Sequence, residues 1–170
     1  MDFRTRVQID KSDVRIDHTT KMMLFGSCFS DNIGNKLKDH KFKVDSNPFG
    51  ILYNPVSISN SLKRLLEDKH FDKSELVYNN EMHHSFMHHG SFSDVNEQLC
   101  LNRINERYSY ATNFLKETDI LLITFGTAYA FNLQSTQQVV SNCHKFPVNN
   151  FNRSRLSIDT IVEEWSYLIE

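Results

Sequence analysis

A short turn near the N-terminus, Gly26-Ser27-Cys28-Phe29-Ser30, places two potential nucleophiles side by side. It follows the apolar run 21–25, which is typical of a buried strand that ends at a tight glycine turn. The residues after it have helical spacing, so we expect Cys28 near a helix N-terminus, where the macrodipole and free backbone N–H groups favour a thiolate. Ser27 attacks only if a base takes its proton. The alternative is structural, with Cys28 as a small buried hydrophobe and Ser27 as a turn former.

Histidines supply candidate bases and ligands elsewhere in the chain. His84 and His88 are four residues apart, a spacing that places two metal ligands on one helical face. No glutamate stands beside His84, so a metal site is the weaker interpretation and a surface or pocket rim is favoured. Further on, His144 follows Cys143. Adjacent residues on a strand point to opposite faces, so these two are not expected to form a dyad, but His144 can approach Cys28 as a base. A structural histidine at a strand end is the favoured alternative for His144.

The elements that position these residues alternate between strands and helices. Residues 120–125 form a continuous apolar run before Gly126, typical of a central parallel strand covered on both faces. Ligands bind at the carboxyl ends of parallel strands, so residues 26–30 and 126–129 are expected at one edge of the sheet. Residues 131–133 and 138–140 are predicted to pair as a hairpin, whereas the pattern of residues 76–89 is ambiguous between strand and loop.

Four helices are predicted from apolar spacing and capping residues. Their expected positions are 29–40 with Ser30 or Asp31 as cap, a start at Pro55 or Ser57, a start near Asp94 with capping-box spacing to Glu97, and 157–170. Their expected apolar faces are Phe29, Ile33 and Leu37; Ile58, Leu62, Leu65 and Leu66; Leu101, Ile104, Tyr108, Ala111 and Leu115; and Ile161, Trp165 and Leu168.

Length and composition limit the class of protein. The 170 residues suit one domain, and a net charge of −2 gives no electrostatic reason to expect nucleic acid as a partner. Three cysteines without CxxC spacing favour a reducing, cytoplasmic setting over a disulfide framework. No apolar run approaches the roughly 18 residues of a membrane span, so we expect a soluble protein.

The turn also carries a family resemblance. Gly26-Ser27-Cys28-Phe29-Ser30 resembles the sequence for which the GSCFA family is named, with Ser30 in place of alanine. Three further blocks are similar to the same family: Asn47-Pro48-Phe49-Gly50-Ile51-Leu52-Tyr53-Asn54-Pro55, Thr124-Phe125-Gly126-Thr127-Ala128, and Asn142-Cys143-His144-Lys145. The family resembles the SGNH (GDSL-type) hydrolases. That resemblance implies a flavodoxin-like three-layer α/β/α sandwich, incomplete in residues 1–170, and chemistry on acyl esters.

The resemblance implies roles for individual residues. It places Cys28 where the superfamily has its serine nucleophile, and Ser27 where it has aspartate. Gly26 and Gly50 fall in blocks that shape the oxyanion hole, and Gly126-Thr127 falls where a third block carries an asparagine donor. Position 128 is alanine, so Thr127 or Asn142 is the substitute donor.

The closing Asp-x-x-His block of the superfamily does not occur in these 170 residues. We therefore expect a truncated domain with poor isolated activity. The leading hypothesis is an SGNH-like hydrolase or acyltransferase that needs no cofactor and acts on a small-molecule or carbohydrate-linked acyl ester through Cys28 or, second, Ser27. The alternative is a non-catalytic ligand-binding α/β domain, and a metal-dependent hydrolase using His84 and His88 ranks third.

Overall fold

A parallel sheet of three strands forms the centre of the computed structural model, which describes residues 7–169. Strand β1 (Lys21–Phe25) lies between β2 (Lys43–Ser46) and β5 (Ile120–Ile123). Because β1 is hydrogen-bonded on both sides and covered on both faces, its side chains from Met22 to Phe25 are at most 2% exposed. The predicted strand at residues 21–25 is confirmed.

Helices cover both faces of this sheet. They are α1 (Cys28–Asp39), α2 (Pro55–Glu67), α3 (Glu97–Leu115) and α4 (Ile158–Ile169). On one face α1 packs Ile33 and Leu37 against Met22 and Leu24. On the other face, a larger core joins Met23 and Phe25 to apolar residues of α2, α3 and α4. The predicted α/β class is confirmed, and the order of the three parallel strands, second-first-third along the chain, matches the beginning of the flavodoxin-like order.

Two antiparallel sheets extend from this centre. Strands β3 (Val77–Asn79) and β4 (Met82–His84) form a hairpin, and β6 (Tyr129–Leu133) lies between β7 (Val139–Val140) and β8 (Phe151–Arg155). The predicted pairing of residues 131–133 with 138–140 is confirmed by the register Phe131 to Val140. Strand β8 was not predicted, because four of its five residues are polar and exposed.

A buried ion pair fixes α3 to the sheet. Asp45 on β2 is 3% exposed and accepts two hydrogen bonds from the Arg107 guanidinium, at 3.0 and 2.6 Å. The same guanidinium donates to the Ser46 carbonyl at 3.2 Å. Since both carboxylate oxygens are paired, this contact sets the position of α3 on the face that also carries Met23.

The structure corrects one strand prediction. Residues 120–123 form β5 at the edge of the three-stranded sheet and not its centre, because within residues 7–169 they pair only with β1. Leu121 is accordingly 43% exposed. An apolar run is typical of both positions, so the composition of the segment did not distinguish them.

Two helix caps and two apolar faces also differ from the predictions. Ser27 caps α1, not Ser30 or Asp31, and Asn96 caps α3, not Asp94. Asp94 instead accepts the Asn96 N–H and pairs with Arg103. Phe29 and Leu66 are 58% and 66% exposed, so neither belongs to the buried face of its helix as predicted.

Across residues 7–169, no helix combines the length and the apolar character that a bilayer crossing requires.

Candidate active site

Three loops meet where β1, β2 and β5 end. The Leu52 N–H donates to the Gly26 carbonyl at 2.9 Å. The N–H groups of Gly126 and Thr127 both donate to the Tyr53 carbonyl, at 2.8 and 3.1 Å. We call residues 26–28, 52–53 and 126–127 the loop junction. Residues 26–30 and 126–129 therefore lie at the same edge of the sheet, connected through the loop that follows β2.

Gly26 holds the first loop in a conformation that other residues rarely adopt. Its φ is +147°, and an added Cβ would lie 2.1 Å from Thr124 Oγ1 and 2.8 Å from Ser30 Oγ. The Ser30 hydroxyl is buried and donates to the Phe25 carbonyl at 3.1 Å, with Thr124 Oγ1 at 2.8 Å. The serine that replaces the alanine of the family name is thus fully satisfied and stabilises the turn.

Asn47 connects the second loop to the same turn, and sequence analysis missed it. Its Oδ1 accepts the Gly26 N–H at 2.8 Å, and its Nδ2 donates to Asp31 Oδ1 at 2.6 Å. The residue is buried and has a φ of +46°, which asparagine tolerates better than most residues. The Asn47-Pro48-Phe49-Gly50 pattern predicted a loop, but nothing in it indicated a side chain directed at Gly26.

Ser27 and Cys28 begin α1. The Ser27 side chain accepts the Phe29 N–H at 3.2 Å, so it acts as the helix cap. Cys28 is the first helical residue and its thiol is exposed, which excludes the structural alternative of a buried hydrophobe. Within residues 7–169, the backbone N–H groups of Ser27 and Cys28 donate to no protein acceptor. An open thiol therefore lies beside two unpaired N–H donors at a helix N-terminus, a combination suited to acyl chemistry.

The other glycines of the site have positioning roles in this structure. The Gly50 N–H donates to the Asn47 carbonyl at 2.8 Å, and the Gly126 and Thr127 N–H groups are engaged by Tyr53. None of the three N–H groups is available to an oxyanion in this conformation. Gly50 is needed for close packing, because its φ is +80° and an added Cβ would lie 2.3 Å from the His89 Cβ.

His144 and Asn142 lie in a separate cavity of about 460 Å³, which we call the histidine pocket. Its lining residues are Asn80, Met82, His84, Gly90, Ser93, Asn142, His144 and Lys145. The His144 and His84 rings stack at 4.5 Å, and His144 Nε2 lies 2.8 Å from the Ser85 carbonyl, to which it donates. His144 is thus committed to a backbone carbonyl and makes no hydrogen bond to Cys28. Asn142 Oδ1 accepts the His144 N–H at 2.8 Å, so its carbonyl oxygen also serves the local turn.

Burial keeps the imidazoles of His88 and His144 neutral. Desolvation lowers the pKa of His88 to about 3, aided by repulsion from His144 in its protonated form and from the Arg64 guanidinium. The His88 ring is 2% exposed and lies within 5 Å of the rings of Phe49, Phe71 and Phe92. Desolvation likewise lowers the pKa of His144 to about 4, against the opposing effect of its hydrogen bond to Ser85.

His84 and His88 do not lie on one face of a helix, although their spacing in the sequence allows it. His84 ends strand β4 and His88 follows in a turn, so the helix that the i, i+4 pattern requires is absent from this segment. His84 instead bonds Ser93 Oγ at 2.6 Å and the Asn79 carbonyl at 3.0 Å through its two ring nitrogens. In the part of the chain that the structure describes, no three His, Cys, Asp or Glu side chains are grouped to hold a metal ion.

Cys143 and His144 lie in a turn and not on the strand that was predicted. His144 and Lys145 have φ values of +46° and +58°, and the Phe146 N–H donates to the Cys143 carbonyl at 2.9 Å, which defines a tight turn. Burial raises the pKa of the Cys143 thiol and that of the Cys100 thiol, so neither is poised to react.

Comparison with known proteins identifies one family. The family model described as GSCFA matches residues 21–170, which include the loop junction and the histidine pocket. The chain finds no match among curated proteins and none among solved structures.

Proposed function

The chain belongs to the GSCFA family, and on that premise we propose that it is an SGNH-like hydrolase or acyltransferase with its nucleophile at the Gly26-Ser27-Cys28 turn. One observation carries the proposal. The exposed Cys28 thiol lies at the start of α1, next to two backbone N–H groups that find no acceptor within residues 7–169. Such an arrangement supplies an attacking atom and donors for the charge that develops on the carbonyl oxygen.

The proposed reaction passes through a thioester. The Cys28 sulfur, as thiolate, attacks the carbonyl carbon of the acyl ester, and a C–S bond forms. The resulting oxyanion accepts hydrogen bonds from the N–H groups of Ser27 and Cys28. The C–O bond then breaks, and the alcohol leaves with the proton that the thiol has lost. Water or an acceptor alcohol next cleaves the thioester and restores the thiol, so no cofactor is consumed.

Cys28 is a better candidate for the nucleophile than Ser27. The Ser27 oxygen already accepts the Phe29 N–H, and attack through it would release the cap of α1. The Cys28 sulfur has no such structural role, because its side chain makes no hydrogen bond within residues 7–169. The substrate is a small or carbohydrate-linked acyl ester by analogy with the wider superfamily.

A second candidate function is ligand binding without catalysis. It is favoured by one observation: His144 donates to Ser85, and no histidine within residues 7–169 makes a hydrogen bond to Ser27 or Cys28. Under this hypothesis the loop junction binds an acyl compound but does not cleave it.

The two candidate functions differ in whether the protein turns over an ester substrate. Hydrolysis of 4-nitrophenyl acetate, butyrate and octanoate is measured for the protein and for Cys28→Ala, Ser27→Asn and Cys143→Ala. Ser27→Asn removes the hydroxyl but keeps a capping side chain, and Cys143→Ala is the matched thiol control. We expect Cys28→Ala to lower kcat/KM by about a hundredfold or more, whereas the other two variants retain activity. Equal rates for the protein and Cys28→Ala would overturn the proposal.

A further inference from the structure

One face of the sheet formed by β6, β7 and β8 combines exposed aromatic rings with arginines. In the β6–β8 register Tyr129 faces Arg155 and Phe131 faces Arg153, so these four side chains project from the same face. All four are exposed, with Tyr129 at 44% and Phe131 at 38%. We call Tyr129, Phe131, Arg153 and Arg155 the arginine face.

The arginines of this face have no charged partner among the residues that the structure describes. Within residues 7–169, neither Arg153 nor Arg155 pairs with a carboxylate or donates a side-chain hydrogen bond. The Arg153 guanidinium lies over the Tyr129 ring at 4.1 Å from its centroid. Stacking uses the flat side of a guanidinium and leaves its N–H edge free for a planar, two-point contact with a carboxylate.

This face begins at the loop junction. Tyr129 is the first residue of β6, two residues after Thr127, whose N–H shares the Tyr53 carbonyl with that of Gly126. The Leu156 N–H, next to Arg155, donates to the Ala128 carbonyl at 2.8 Å and fixes the end of β8 against the same loop. The start of β6 and the end of β8, which carry Tyr129 and Arg155, therefore lie next to the loop junction.

We propose that the arginine face binds a carboxylate on the ester substrate, so that the preferred substrates are acyl esters with a negatively charged group. The proposal rests on the proposed function and names its substrate class. The positive charge and the guanidinium edge fit a carboxylate, and the adjacent rings of Tyr129 and Phe131 fit the apolar part of the same molecule. Arg153 and Arg155 act here as substrate-binding residues.

The test compares two esters that differ in charge. kcat/KM is measured for 4-nitrophenyl hydrogen glutarate, which carries a free carboxylate, and for neutral 4-nitrophenyl butyrate. The ratio of the two values is expected to fall about tenfold in Arg153→Gln/Arg155→Gln. Arg153→Lys/Arg155→Lys is expected to keep part of the ratio, because lysine retains the charge but not the planar edge. The control Arg15→Gln/Lys36→Gln removes two exposed positive charges elsewhere and should leave the ratio unchanged. An unchanged ratio in the Arg153→Gln/Arg155→Gln variant would overturn the proposal.

A binding measurement separates this proposal from the failure of the proposed function. Glutarate is titrated into the ¹⁵N-labelled protein while the arginine Nε–Hε resonances are observed by NMR. Saturable shifts of the Arg153 or Arg155 resonances, absent with neutral glutaramide, support the arginine face even if neither ester is hydrolysed. Equal responses to glutarate and glutaramide, or none, would contradict it. Inorganic phosphate serves as a third probe, and a tighter response to phosphate than to glutarate would refute the carboxylate assignment.

Discussion

The loop junction and the histidine pocket both contain residues that sequence analysis selected for chemistry, but the fold uses them differently. Backbone hydrogen bonds hold the junction, from Leu52 to Gly26 and from Gly126 and Thr127 to Tyr53, and they leave the Cys28 thiol exposed. In the histidine pocket and its surroundings, hydrogen bonds and stacking of side chains hold the structure together. His84 and His144 are each 7% exposed, and their ring nitrogens bond to neighbouring groups.

The difference shows which group is available to react. A group with its hydrogen bonds made inside the protein is stabilised where it is, whereas an exposed thiol beside unpaired N–H donors can accept a substrate. We therefore propose that the junction carries the chemistry and that His84, His88 and His144 have a structural role. Four experiments test this division, and they follow in order of expected effect.

Gly26→Ala should cause the largest loss, because it acts on the backbone of the junction itself. The added Cβ meets Thr124 Oγ1 at 2.1 Å and the Thr124 carbonyl at 2.6 Å, in a φ region unfavourable to alanine. We expect the free energy of unfolding to fall by about 4 kcal/mol, measured by urea denaturation. The matched control is Gly90→Ala, whose nearest neighbour would be Asn142 Nδ2 at 4.0 Å, and it should change stability by less than about 0.5 kcal/mol. Equal effects of the two variants would show that the turn is not constrained.

Acid should destabilise the region around the histidine pocket. The pKa of His88 is about 3 and that of His144 about 4 in the folded protein, against 6.5 for an unperturbed histidine. Between these values the unfolded chain binds more protons than the folded one, so stability falls as the pH drops from about 6.5 towards 3. We expect His88→Leu to reduce the loss between pH 6.5 and 4 by about 3 kcal/mol, since each unit of pKa corresponds to about 1.4 kcal/mol.

The control for acid sensitivity is Ile58→Val at a fully buried position, which removes no titratable group and should leave the pH dependence of stability unchanged. Urea denaturation at a series of pH values measures both variants. The interpretation of His88 as a neutral core residue fails if His88→Leu and the unaltered protein lose stability in parallel as the pH falls.

His144→Gln separates a structural role from a catalytic one. It removes the ring that stacks on His84 and donates to Ser85, so we expect a loss of about 1–2 kcal/mol in the free energy of unfolding. The rate of Cys28 alkylation by iodoacetamide at pH 7 should stay within about twofold, because His144 makes no hydrogen bond to that thiol. A tenfold fall in the alkylation rate of the folded variant would restore His144 as the base.

The helix cap gives the smallest effect. Ser27→Ala removes the oxygen that accepts the Phe29 N–H and should lower the free energy of unfolding by about 1 kcal/mol. Ser27→Asn retains a capping oxygen and should be close to neutral. Thermal unfolding of both variants measures the difference, and equal melting temperatures would contradict the capping role.

The sequence predicted the framework of the fold better than its details. Residues 21–25 and the hairpin 131–133/138–140 followed their patterns, because burial imposes apolar character and strands impose alternation. The edge position of β5 was not predictable, since an apolar run does not reveal how many neighbours a strand has. Strand β8 could not be predicted, because Arg153 and Arg155 give its sequence no apolar alternation. Its position also depends on pairing with β6, which lies about 20 residues earlier in the chain.

The candidate site was predictable only in part. The glycine turn before a helix indicated Cys28, and the parallel arrangement of strands brought residues 126–127 to the same edge. The position of His144 depends on a tight turn in which His144 and Lys145 both have left-handed backbone conformations. Neither histidine nor lysine favours such a conformation as glycine does, so the residue types did not predict the turn. Likewise, the contact from Asn47 to Gly26 spans 21 residues and required the completed sheet.

The most direct test of the nucleophile assignment is the mass of the intact protein after brief exposure to 4-nitrophenyl butyrate and acid quenching. We expect a single butyryl adduct that maps to the peptide containing Cys28, is released by hydroxylamine, disappears in Cys28→Ala and persists in Cys143→Ala. An unmodified protein, or an adduct that Cys28→Ala retains, would contradict it.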